Sequence, residues 1–191
     1  MILEVLVEER SAKVALEQLI PRIVPAARLG ETLFIHAFSG KPDLLKKLPQ
    51  RLRGYTTFGD ARIVVLVDRD REDCGRLKQQ ILRDARAAGV IDRVLARIAV
   101  EELESWFLGD VPALRAVFPR IPPSLASQAA YREPDDVRDA AEALGRVIEG
   151  AGGGRPSKVD VARRVAAAMQ VEHNRSRSFQ VFRDGLRRHA A

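Results

Sequence analysis

Two aspartates, Asp68 and Asp70, follow directly on the apolar run Ile63-Val64-Val65-Leu66-Val67. In an extended chain, residues i and i+2 point to the same side, so their carboxylates can converge. Paired carboxylates repel unless a hard cation such as Mg2+ or Mn2+ lies between them. Glu8 ends the first apolar run in the same manner, and Glu101, Glu102 and Glu104 follow the fourth. A plainer reading stands beside each. Asp68 is a good helix N-cap, Glu8-Glu9-Arg10-Ser11 makes a solvated strand-to-helix turn, and acids at 101–104 favour a helix N-terminus through its dipole.

The elements that would position these acids are legible. Ile2 to Val7 reads as a buried strand. A helix from Ala12 to about Val24 follows, with Ser11 as its cap and Pro21 as a kink or an end. Thr32 to Phe38 is a second strand, and Gly40 and Pro42 open a helix through Leu52. Arg62 to Val67 is the clearest buried strand. Glu72 to Ala88 is helical, Gly89 stops it, and Val94 to Val100 is a fourth strand. Strands alternating with helices predict a mainly parallel four-stranded sheet flanked by helices, in which carboxyl strand ends line the ligand crevice. The α/β core spans 1–110. A helical extension over 111–191 packs on it, with helices at Glu101–Leu108, from Pro112, at Asp135–Glu149, at Val159–Met169 and at Asn174–Arg188.

Of 191 residues, 46% are hydrophobic and 30% charged, as expected of a globular chain that buries its own core. The lone cysteine, Cys74, excludes an intramolecular disulfide and a Cys-rich zinc site. His36, His173 and His189 show no metal spacing, and no apolar run approaches a membrane span. With no signal peptide visible, the chain reads as cytoplasmic. The net charge of +6 is compatible with nucleic acid, and equally with a solvated Arg-rich surface. Lys41, Lys46, Lys47, Arg51, Arg175 and Arg177 are the cations that could form a phosphate track. The opposing reading of the last segment is a helix packing through Phe179, Val181, Phe182 and Leu186. Trp106 reads as core. The glycines at 150–154 do not make a phosphate loop, because no strand precedes them. Ser157 caps the next helix, which leaves Lys158 in a first turn whose dipole disfavours a cation.

A strand ending in Glu8, two more strand units and a strand ending in Asp68-Arg69-Asp70 resemble the Toprim pattern of topoisomerases, primases and nucleases of the overcoming-lysogenization-defect type. More narrowly, the chain resembles the bacterial DUF4276 family. The resemblance rests on Val7-Glu8-Glu9, on 40–45 (Gly-Lys-Pro-Asp-Leu-Leu), on 65–70, on 102–110, on Pro156-Ser157-Lys158 and on 174–179. It implies a Toprim-like Rossmannoid fold and Mg2+ or Mn2+ as cofactor. Glu8, Asp68 and Asp70 would be metal ligands, with Glu8 alternatively a general base. Glu102, and after it Glu104, would complete the set, and Lys158 would stabilise charge on a phosphate. Toprim nucleases often carry Gly after the first Glu and an acid four residues on. Here those positions are Glu9 and Ala12, which argues against a second metal unless Glu9 compensates.

The expected function is metal-dependent phosphodiester hydrolysis on DNA or RNA, with the chain as effector of a two-component defence system beside an ATPase. The alternative is a non-catalytic metal- or phosphate-binding module serving that ATPase. A receiver-like domain with Asp68 as phosphoacceptor lacks the accompanying Lys pattern.

Overall fold

The computed structural model describes residues 1–57 and 59–191. Its centre is a four-stranded, all-parallel sheet in the order β2-β1-β3-β4, built from β1 (Ile2–Val7), β2 (Leu33–Ala37), β3 (Ala61–Asp68) and β4 (Val94–Ala99). The two central strands are buried on both faces, and the period of two divides their side chains between two apolar clusters. Leu3, Val5, Val64 and Leu66 face α1 (Arg10–Ile23). Leu6, Ile63, Val65 and Val67 face α2 (Lys41–Gly54) and α3 (Cys74–Ala87). Each such side chain contributes roughly 1.5–3 kcal/mol by leaving water.

The chain moves from β1 outward to β2, then crosses back over β1 to β3 and continues to β4. The direction of winding therefore reverses between β1 and β3. In an open parallel sheet, the crevice at the carboxyl ends of such a pair is where ligands bind.

The remaining helices are α4 (Glu104–Leu108), α5 (Val111–Val117), α6 (Ala140–Gly150), α7 (Lys158–Ala168) and α8 (Arg177–Ala190). They continue the core: Leu3, Trp106, Val165 and Phe182 belong to one apolar cluster. α7 lies along α1 and α8 along β4. Trp106 is core, with Phe179 and Phe182 at 5.2 and 5.0 Å between ring centres and its indole N–H donating to Ser178 Oγ at 2.8 Å. Among the described residues, no helix is long and apolar enough to cross a membrane.

Several local expectations change. α1 begins at Arg10, and Ser11 lies inside it, donating to Glu9 Oε1 at 2.5 Å instead of capping. The helix expected from Asp135 begins only at Ala140. The Asp135 carboxylate accepts from Ser176 Oγ at 2.6 Å and from the Ser178 amide at 2.8 Å, which fastens it to the start of α8, and Asp139 is left-handed at φ 47°. The helix expected from Glu101 likewise starts three residues late, because Glu101 is left-handed at φ 57°.

Candidate active site

Glu8 and Asp68 leave the carboxyl ends of the adjacent strands β1 and β3, and the backbone ties them together. Glu8 Oε1 accepts from the Asp68 amide at 2.7 Å. Asp68 Oδ1 in turn accepts from the Leu103 amide at 3.1 Å, which fixes the entry to α4. Asp68 does not cap α3; that cap is Asp73, which accepts from the Arg76 amide.

Two more side chains reach this crevice, one from α4 and one from α7. Glu104, in the first turn of α4, is 3% exposed, and both its oxygens are shielded from solvent without accepting a hydrogen bond. Lys158 opens α7, and its Nζ lies 2.5 Å from Glu9 Oε1 and 3.5 Å from Glu104 Oε1. These two acids explain a cation in a first turn, where the helix dipole opposes it.

The electrostatics follow from crowding. Burial pushes the Glu8 carboxyl up to about 7; the Asp68 amide and Lys41 oppose the shift, and the charges of Asp70 and Glu9 add to it. Burial and then the charges of Glu8 and Glu104 raise Asp68 well above the usual carboxylate range. Glu104 is raised chiefly by burial, against Lys158. For Lys158, burial works against the ammonium, but Glu104 and Glu9 outweigh it and raise its pKa. Glu9 is buried enough to be raised, yet its bonds to Lys158 and Ser11 leave it lowered.

Asp70 joins differently from the expected i, i+2 alignment. Its φ of 50° turns the chain out of the strand, and its carboxylate pairs with Lys41 Nζ at 2.7 Å. Lys41 also donates to Glu72 Oε1 at 2.9 Å and to the Arg69 carbonyl at 3.4 Å. At 6% exposure it is part of the acid cluster's support rather than a surface phosphate contact. Glu102 departs from its expected place too. Its Oε2 accepts from the Ala141 amide at 2.7 Å, so it caps the start of α6, whereas Glu104 faces the crevice. Glu101 forms an ion pair with Arg69.

The donor set suits a hard cation in kind. It is all carboxylate, the acids raise one another's pKa, and Glu104 has two buried oxygens without hydrogen-bond partners. Among the described residues, no three His, Cys, Asp or Glu side chains already stand together as a cation cage.

The family model described as "Domain of unknown function (DUF4276)" matches residues 7–187, from the end of β1 into α8. The chain belongs to the DUF4276 family. This DUF4276 chain is also similar in structure to the C-terminal region of the Xanthomonas campestris pv. campestris OLD protein. The TM-score is 0.50 at 16% identity, over 98% of this chain and 95% of that one. Its fold is therefore the expected Toprim-like α/β type. No curated protein matches the chain.

The expected phosphate-track cations of this DUF4276 protein do not act as one set. Arg175 is the clearest departure. Its guanidinium donates to the carbonyls of Ala126, Arg132, Leu108 and Tyr131 and so ties the loop before α6 to the end of α4. Arg177, exposed in the first turn of α8, donates to Gln180 of the same helix. Lys47 and Arg51 line a groove of about 1280 Å³ beside the edge strand β2. Arg10 and Lys13 of α1 and Arg163 of α7 line the same groove, and none of these three stood out in the sequence. Lys46 is exposed on α2.

Proposed function

We propose that this DUF4276 protein is a Toprim-like nuclease that hydrolyses phosphodiester bonds in DNA or RNA with Mg2+ or Mn2+. One observation carries the reading: Glu8, Asp68 and Glu104 crowd at the switch point of the sheet, with Lys158 at their flank. Glu8 and Asp68 would hold the metal, with Glu104 and Asp70 on either side. When bound, such an ion polarises the phosphate and lowers the pKa of water. In the alternative role, with Asp68 and not Glu8 on the metal, Glu8, whose carboxyl lies near 7 in the metal-free site, would take or give a proton at neutral pH, as a general acid–base group must. Lys158 is fixed by Glu9 and supplies positive charge where the phosphate gains negative charge. The β2-edge groove with Lys47, Arg51, Arg10 and Lys13 is the surface for the flanking phosphates. An ATPase would be the other half of a two-component defence system, as the family resemblance implies.

A second reading has its own support. Lys158 and Lys41 already neutralise much of the acid cluster, and Ala12 stands where a second-metal acid is common. On that reading the chain is a non-catalytic metal- or phosphate-binding module for the ATPase.

Cleavage of plasmid DNA and of RNA, with Mg2+ or Mn2+, is measured for the wild type beside Asp68→Ala. Metal-dependent cleavage lost in the variant is the expected result. Cleavage that survives Asp68→Ala removes this site from consideration. Mn2+ binding without cleavage favours the module, and cleavage only with the ATPase present supports the two-component arrangement.

A further inference from the structure

A second cavity opens between α6 and α7, and it shares two of its wall residues, Glu104 and Lys158, with the acid cluster. Its volume is about 480 Å³, inside the roughly 300–1,000 Å³ usual for small-molecule sites. Leu144, Ile148, Pro156 and Val161 make its sides apolar. The rim charges are mutually paired: Arg146 with Glu142 at 3.5 Å, and Arg155 with Glu149 at 3.1 Å. A neutral rim gives a phosphate no reason to enter. Within the wall, Glu104 is held by Lys158 at 3.5 Å, which ties the cleft to the acid cluster.

The backbone holds this cavity open. After α6 the chain turns back through Gly152 and Gly154, at φ 71° and 64°, so that Arg155 and Pro156 form the far wall. Between them Gly153 passes so close to Ile148 and Phe118 that a Cβ there would lie 2.6 Å from the Ile148 side chain. Glycine at 153 is therefore a packing requirement of the wall.

We propose that this cleft is a nucleobase subsite, which takes the base next to the phosphodiester held at the acid cluster. A base is flat and apolar on its faces, and it carries N–H donors on its edge. Apolar walls and a neutral rim match those faces. Because Glu104 and Lys158 border both spaces, a base in the cleft is joined through its sugar to a phosphate at the cluster. The subsite rests on the nuclease reading for its substrate, but its occupancy is measurable without cleavage.

Gly145 of α6 lines the cleft, and a Cβ built on it meets nothing within 4 Å, so Gly145→Leu fills the space without displacing the core. Binding of free nucleosides to the wild type and to Gly145→Leu is followed by ligand-observed NMR in chelator. In parallel, fluorescence anisotropy compares an ordinary oligonucleotide with one made wholly of abasic sugar-phosphate. The wild type should bind nucleosides and prefer the ordinary strand by about tenfold or more. Gly145→Leu should lose nucleoside binding and most of that preference while keeping its affinity for the abasic strand. Equal nucleoside binding by both proteins, or no base preference in the wild type, overturns the subsite. If the wild type shows base-dependent binding that Gly145→Leu abolishes, but cleaves nothing, the subsite stands and the nuclease reading fails.

Discussion

The Glu8 carboxylate accepts a hydrogen bond from the Asp68 amide at 2.7 Å, across 60 residues of sequence. It is a side chain from one central strand holding the backbone of the other at the point where β3 ends. The first acid of the site thus also holds the backbone that carries the second.

The burial of Glu8 at this contact has a pH signature. The folded carboxyl of Glu8 is raised from about 4.5 to about 7, so between those values the folded state binds more protons than the unfolded one. Stability therefore falls as pH rises through this window. After allowance for solvent screening, the loss is of the order of 1–2 kcal/mol. Urea unfolding in chelator at pH 4.5, 6 and 8 should show this decline, and Glu8→Gln should flatten it. An unchanged slope in Glu8→Gln would mean that Asp68 and Glu104, both raised as well, carry the effect.

Lys158 is expected to act through charge on two fronts. Lys158→Met leaves Glu104 buried beside Asp68 with no cation, and should lower stability at pH 8 by roughly 1–3 kcal/mol. Glu104→Gln removes that burden, so the double variant should recover about half of the loss or more. A double-mutant cycle by chemical denaturation measures the coupling. Additive effects would show that the 3.5 Å approach carries no energy.

Arg175 was expected on a phosphate track, but its guanidinium is occupied by four carbonyls. Arg175→Ala should therefore cost about 2 kcal/mol of stability, because those carbonyls lose their donors. Nucleic-acid affinity measured well below the melting temperature should keep its salt dependence. A shallower salt slope with unchanged stability would restore the surface role.

The β2-edge groove makes the opposite prediction. Lys13→Ala with Arg51→Ala should weaken nucleic-acid binding at all sequences alike. The log–log salt slope should fall by about one unit for each phosphate contact removed. Anisotropy titrations between 50 and 200 mM salt, on the order of the range where such slopes are read, test it. A slope equal to that of the wild type would take the groove out of the binding surface.

The sheet was legible because its signal is local. Ile2–Val7 and the run ending in Asp68 are short, apolar and β-branched, and each maps onto its strand to within a residue. The oddity of Lys158 was legible as well, since a cation in a first turn asks for an acid nearby. Which acids answered it was not. Glu9 and Glu104 are 149 and 54 residues away, and only the docking of α7 against α1 and α4 brings them together. The choice between Glu102 and Glu104 turned on Glu101, whose left-handed backbone rotates the start of α4 and sends Glu102 to the α6 amide. Asp135 misled for a similar reason. It has the composition of a helix start, but its carboxylate serves Ser176 and Ser178, 41 and 43 residues away.

The position of Lys158 on α7 has a consequence in time. A growing chain acquires three of its four strands and both central acids within its first 68 residues, but the ammonium that faces Glu9 and Glu104 is made 90 residues later. It reaches them only once α7 lies along α1. Until then the acid cluster is without that partner. On the nuclease reading, a chain that stops short of that helix is expected to be inactive.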